Sequence, residues 1–183
     1  MEFLRLTCHP AAAAPPALDI EAIALTLANG AVSFRYRVQG DLHRVRLPQP
    51  GPAIRTDELW RHTCFEAFVN PRGAERYYEL NFAPSSAWAA YSFESYRLGM
   101  QPMTFAKAPA IHCRTSDDVL MVEATMNVKS LRHDSLIGLA VVIEDVDGKV
   151  SHWALAHPRT KADFHDAAGW TGGFQRFSAE GGV

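Results

Sequence analysis

Long apolar runs are missing from this 183-residue chain: no segment approaches the roughly 20 consecutive apolar residues that a membrane-spanning helix needs. The Ala-rich stretch from Ala11 to Ala17 is broken by prolines, and Glu2 stands where a secretory leader would carry basic residues, so neither a bilayer anchor nor a signal core is expected. Cysteine is scarce. Cys8, Cys64 and Cys113 cannot all pair within one chain, and their spacing offers no Cys-x-x-Cys ligand pair, so reduced, mostly buried thiols in a cytoplasmic protein are expected. An excess of charge of one sign is absent as well: 18 Lys and Arg against 20 Asp and Glu, with no run of like charge, argue against nucleic acid or an anionic membrane as a partner. Metal-ligand patterns are thin. Of eight histidines only His152 and His157 share a short segment, five apart and hence on opposite faces of a strand, while Asp145, Asp147 and Gly148 fit a turn better than a calcium loop, so no metal is expected. No Gly-x-Ser-x-Gly elbow supports a nucleophilic serine.

Long helical periodicity is lacking too, and what replaces it is alternation. Apolar side chains alternate from Ile20 to Leu27 and again from Val32 to Val38 across Asn29-Gly30, which predicts a hairpin with a two-residue turn and Ser33, Arg35 and Arg37 on the wet face. Further strands are expected at Phe3–Thr7, Leu42–Leu47, Phe65–Val69, Tyr77–Phe82, Ala89–Phe93, Phe105–His112, Val119–Thr125, Ile137–Glu144, Ser151–Ala156 and Phe174–Phe177. One helical turn is plausible at Asn127–Leu131. Roughly ten short strands separated by Pro, Gly, Asn, Asp and Ser predict an all-β chain with little helix: a single domain over 1–183, core 19–178, folded as an antiparallel β-sandwich of two sheets, jelly-roll or immunoglobulin-like. The stretch 161–173 follows neither period and is an irregular excursion of the kind that carries function.

The segment from Leu59 to Tyr91 mixes strand formers with recognition residues. Phe65, Ala67 and Val69 face one side of a strand, and Cys64, Glu66 and Phe68 the other, which puts a carboxylate into an aromatic strand. Trp60, Arg61 and His62 precede it, so a flat ring, a donor fork and an acid can converge on a polyhydroxylated or planar ligand; each of these residues suits plain packing equally.

Trp60 followed by Glu66 in a strand ending Phe-Val-Asn-Pro, then Tyr78-Glu-Leu-Asn-Phe-Ala-Pro, Val122-Glu-Ala-Thr-Met, Trp153-Ala-Leu and Asp163-Phe-His, resembles the DOMON-like proteins related to family 9 carbohydrate-binding modules. The resemblance spans roughly residues 20–178 through short motifs. It implies a β-sandwich that binds a sugar or, in some relatives, haem. By that resemblance Trp60 and Trp153 match two clamping tryptophans and Glu66 the acid that reads hydroxyls, with Asn81 and Arg97 as further polar contacts. Arg61 and His157 complete the expected ligand-binding set.

The reading is a non-catalytic domain that binds a small molecule, a carbohydrate, with no cofactor and with oligomeric state left open. Haem b is the alternative, with Met100 or Met103 and His157 as axial ligands, a chemically sound thioether and imidazole pair. An enzyme acting on a sugar or ester is the second alternative, through the Asp163-Phe164-His165 loop or through Glu66 and Glu79 as acid and base.

Overall fold

The computed structural model describes residues 1–128, 131 and 134–177. Among the described residues twelve strands form a sandwich. One sheet runs in the order β1 (Leu4–Cys8), β2 (Leu18–Thr26), β3 (Val32–Gly40), β9 (Val119–Met126) and β8 (Ala110–Thr115). The other runs β7 (Gln101–Pro102), β6 (Trp88–Phe93), β5 (Tyr77–Phe82), β4 (Cys64–Asn70), β10 (Leu136–Glu144), β11 (Val150–Ala154) and again β1. β1 joins them, pairing Leu4–Leu6 with β2 and Thr7 and Cys8 with β11. β12 (Gly172–Arg176) does the same farther along the same edge of β2, whose other edge is taken by β3; it is antiparallel to β10 through its glycines and parallel to β2 beyond them.

Alternation explains the core. Phe34, Tyr36 and Val38 on β3 meet Phe65, Ala67 and Val69 on β4, with Phe34 stacked on Phe82 at 5.8 Å and Tyr36 tilted against Phe65 at 5.2 Å. The Tyr36 hydroxyl donates to the Glu66 carbonyl at 2.8 Å in full burial, a polar pin between the sheets beneath the residue expected to bind ligand. Removing it in Tyr36→Phe deletes one buried hydrogen bond, so chemical denaturation is expected to show a loss of about 0.5–1.5 kcal/mol at unchanged m-value.

Several expectations are corrected. The hairpin keeps its strands, yet its connection spans residues 27–31, because Thr26 pairs with Val32 and only Gly30 takes a positive φ, 79°. Asn29 serves instead through its side chain, accepting from the Ala31 N–H at 3.0 Å. Leu42–Leu47 is not a strand: a 3-10 turn occupies Leu42–Arg44 and only Val45 makes a bridge, to Asp145. Arg44 and Arg46 are drawn across to Asp145, Asp147 and Glu144, and Pro48 ends the segment. Phe105–His112 is displaced to Ala110–Thr115, past Pro109, and Phe105 stacks on Trp88 at 5.4 Å. Ser33 is buried on what alternation marks as the wet face, because Glu123 accepts its hydroxyl at 2.9 Å and covers it. The helical turn expected at Asn127–Leu131 includes Lys129 and Ser130, which lie outside the described residues. Cys8, Cys64 and Cys113 are free thiols. Among the described residues no helix is long and apolar enough to cross a membrane.

Candidate functional site

The outer face of the larger sheet is not wet. On β4, Cys64, Glu66 and Phe68 point away from the inter-sheet core, and strand register sets beside them Tyr77, Glu79 and Asn81 on β5 and Val142, Ala140 and Gly138 on β10. Tyr91 and Phe93 extend this floor on β6, His152 and Ala154 on β11. A second apolar cluster forms there, centred on Phe68, Tyr77, Tyr91, Phe93 and Trp170. The small side chains of Gly138, Ala140 and Ala154 leave room for the irregular 163–170 loop, which folds back over the sheet.

That loop is anchored at both ends. Asp163 accepts from Arg97 Nη2 at 2.8 Å, from the Tyr96 hydroxyl at 2.5 Å and from the His165 N–H at 3.1 Å. Burial alone would raise the Asp163 carboxyl, but the Tyr96 and Arg97 hydrogen bonds win and hold it below the ordinary carboxylate range. Trp170 lies stacked on Phe68 at 6.0 Å and donates its indole N–H to the Phe164 carbonyl at 2.8 Å.

Between loop and floor lies a cavity of about 510 Å³. Its apolar walls are Trp60, Phe68, Phe93 and Phe164, with Met100, Val142 and Ala162 between them; its polar groups are Glu66, Glu79, Arg97, His152 and His165. Trp60 comes from a 3-10 turn at Leu59–Arg61 entered through Glu58 at φ 60°, and its ring meets Tyr91 edge-on at 5.9 Å.

The electrostatics of the floor follow from burial. Glu66, 2 % exposed, has its Oε1 without any hydrogen bond, and desolvation together with the charge of Glu79 pushes its carboxyl well above the ordinary glutamate range. Glu79 is raised by burial but supported: Asn81 Nδ2 donates to its Oε1 at 2.8 Å, and Arg97 lowers it further. Glu79 therefore ionises first and Glu66 keeps the shared proton. Burial, and then the Arg97 charge, bring His165 down to about 4. Tyr77, pushed up to about 12 by burial, keeps its proton; it accepts from the Arg97 N–H at 3.2 Å and donates to His165 Nδ1 at 2.6 Å. His165 Nε2 then carries the hydrogen and faces Glu79 Oε2 at 3.6 Å, too long for a strong bond. That separation lies within ion-pairing range, yet burial keeps the imidazole neutral at pH 7.

Of the residues expected at the site, Trp60, Glu66 and Arg97 line the cavity, and Asn81 stands behind Glu79. Three are elsewhere. Arg61 is exposed and pairs with Glu58 at 2.9 Å; Trp153 is buried in the inter-sheet core, its indole bonded to Ser151 at 3.0 Å; His157 bonds the Thr7 carbonyl at 2.8 Å outside the lining. The haem set is likewise dispersed: Met100 lines the cavity, Met103 packs on the inter-sheet core and His157 is outside, so the expected methionines and His157 are not brought together. Glu66 and Glu79 are diagonal neighbours on one floor, unlike the facing carboxyls that flank a glycosidic bond. Phe93, Val142 and His152 had no sequence signal, since only cross-strand register brings them beside Glu66. Among the described residues no three His, Cys, Asp or Glu side chains gather as a metal site.

No family model and no curated protein matches this sequence. Solved structures do. A Bacteroides uniformis protein of proposed carbohydrate-binding function aligns over 97% of this chain and 87% of its own at a TM-score of 0.66 and 13% identity. A family 9 carbohydrate-binding module from Caldicellulosiruptor kristjanssonii, in complex with cellotriose, aligns over 100% of this chain and 86% of its own at a TM-score of 0.52 and 10% identity. The glucose complex of a family 9 module from the same organism gives 0.50 and 9%, over 98% and 87%. At such identities the likeness is one of fold.

Proposed function

We propose that the chain is a non-catalytic carbohydrate-binding domain, DOMON-like in kinship, whose site is the cavity under the 163–170 loop. The observation that carries this is Glu66: a buried carboxyl with one oxygen lacking a donor, in the lining of an aromatic-walled cavity sized for a small ligand. A sugar ring supplies both missing halves. Its C–H faces cover Trp60 and Phe164, while its hydroxyls donate to Glu66 and Glu79 and accept from His165 Nε2–H and Arg97. The fold neighbours that hold glucose and cellotriose support the class of ligand.

Calorimetric and tryptophan-fluorescence titration with glucose, cellotriose and other mono- and oligosaccharides tests the reading. Saturable binding is expected for at least one sugar, with affinity falling about tenfold or more in Trp60→Ala. Trp153→Phe, buried on the far side of the sheet, is expected to bind as the parent does. Absence of heat and of fluorescence change with every sugar would end the proposal.

A further inference from the structure

The ionisable groups of the cavity floor are one-sided. Glu66 and Glu79 both belong to it, whereas the nearby cations are already engaged: Arg97 with Asp163 at 2.8 Å and Arg159 with Asp166 at 2.5 Å. His165 and His152 are kept from charging by burial. No group of the protein reaches Glu66 Oε1. A buried acceptor is costly until something donates to it, and a cation is the strongest donor available. The walls agree, because aromatic rings attract positive charge over their faces, and Trp60, Phe68, Phe93 and Phe164 all line the cavity.

We infer that the cavity takes a sugar bearing a free, protonated amine, a hexosamine, whose ammonium group sits on Glu66 and Glu79 beneath the aromatic walls. This rests on the carbohydrate reading and narrows it. The ammonium keeps its three hydrogens and no bond of the ligand changes. Glu66 loses its O–H proton to a buffer base, and the resulting carboxylate pairs with the ammonium, so binding releases up to one proton. The titratable groups around Glu66 are Cys64 on its own strand, Tyr36 across the inter-sheet core, Glu79 on β5, His152 on β11, and Arg97 and His165 on the loops. The cysteine is pushed upward by burial and stays a thiol.

The test is calorimetric titration of the full chain at pH 7 with glucosamine, glucose and N-acetylglucosamine, each in two buffers of different ionisation enthalpy. Glucosamine is expected to bind about tenfold more tightly than either neutral sugar, the step from a neutral to a charge-assisted hydrogen bond, and to release a proton where they release none. Glu66→Gln is expected to bring the three sugars within about twofold of one another. Equal or weaker glucosamine binding beside measurable glucose binding overturns the amine inference and leaves the carbohydrate reading standing; no binding of any sugar overturns both. The buffer comparison on the parent protein decides the matter even where Glu66→Gln fails to fold.

Discussion

Trp170→Ala is expected to cost the domain about 3–5 kcal/mol and to open the cavity at once, because one ring does two jobs. It is 5 % exposed, stacks on Phe68 and tilts against Tyr77 at 5.0 Å, and its indole N–H holds the Phe164 carbonyl in the loop that forms the cavity wall. The ring has room only because position 138 is glycine. A Cβ there would meet Trp170 Cδ1 at 2.1 Å, so Gly138→Ala is itself expected to destabilise by about 1–3 kcal/mol or more through overpacking. The decisive measurement is the double-mutant cycle. In the Trp170→Ala background the added methyl enters vacated space, so Gly138→Ala is expected to be nearly neutral there, a coupling of about 1–3 kcal/mol in chemical denaturation. Additive losses would show that the ring does not rest on Gly138.

How much of this was legible in the sequence depends on the range of the determining interactions. Alternation in Cys64–Asn70 set Glu66 and Phe68 on the face opposite Phe65, Ala67 and Val69, and that division is the one between cavity floor and inter-sheet core. It was readable because a strand's side-chain period is local and fixed. Trp153 defeats the same reasoning. Lying on β11 beside Val141, it points with Val141 into the inter-sheet core, and its pairing with Trp60 as a clamp came from the family resemblance, which carries order along the chain but no face. Floor residues such as Phe93 and Val142 depend on which strands become neighbours, information spread over the 50 residues that separate Phe93 from Glu144. The irregular 161–173 stretch stands out in the sequence for a negative reason, its lack of either period. What the structure adds is its place: Asp163 anchors the loop through Arg97, Tyr96 and the His165 N–H, while Phe164 and His165 line the cavity. Leu42–Leu47 failed because its alternating apolar residues were outvoted by Arg44 and Arg46 reaching acids on and just beyond β10.

The buried titratable groups of the site predict an unusual pH profile of stability. His165 falls from an ordinary 6.5 to about 4 in the folded protein, so between those values the unfolded chain binds the extra proton. Its contribution is complete above pH 6.5 and is lost as the pH falls toward 4, a loss of about 3 kcal/mol at the usual conversion. His152 and His157, lowered by burial, add to it in the same direction. Glu66 works oppositely. Its carboxyl is raised from 4.5 by burial and by Glu79, so the folded state holds the proton, and the stability it contributes at low pH is lost as the pH rises through its folded value. The loss from Glu66 begins near 4.5 and runs up to its folded value, so over 4.5 to 6.5 it opposes the gain from His165. Glu79, raised by burial, adds to the carboxyl side. Urea denaturation from pH 4 to 8 is therefore expected to show the two effects offsetting one another in the parent, and variants separate them. His165→Asn, which can still accept from Tyr77, is expected to remove an acid-side gain of about 3 kcal/mol, and Glu66→Gln to remove the opposing loss, so that its stability rises more steeply with pH than the parent's between 4.5 and 6.5. A Glu66→Gln profile parallel to the parent's from pH 4 to 8 would show that Glu66 ionises freely in the fold, and with it would go the unpaired buried acid on which the site depends.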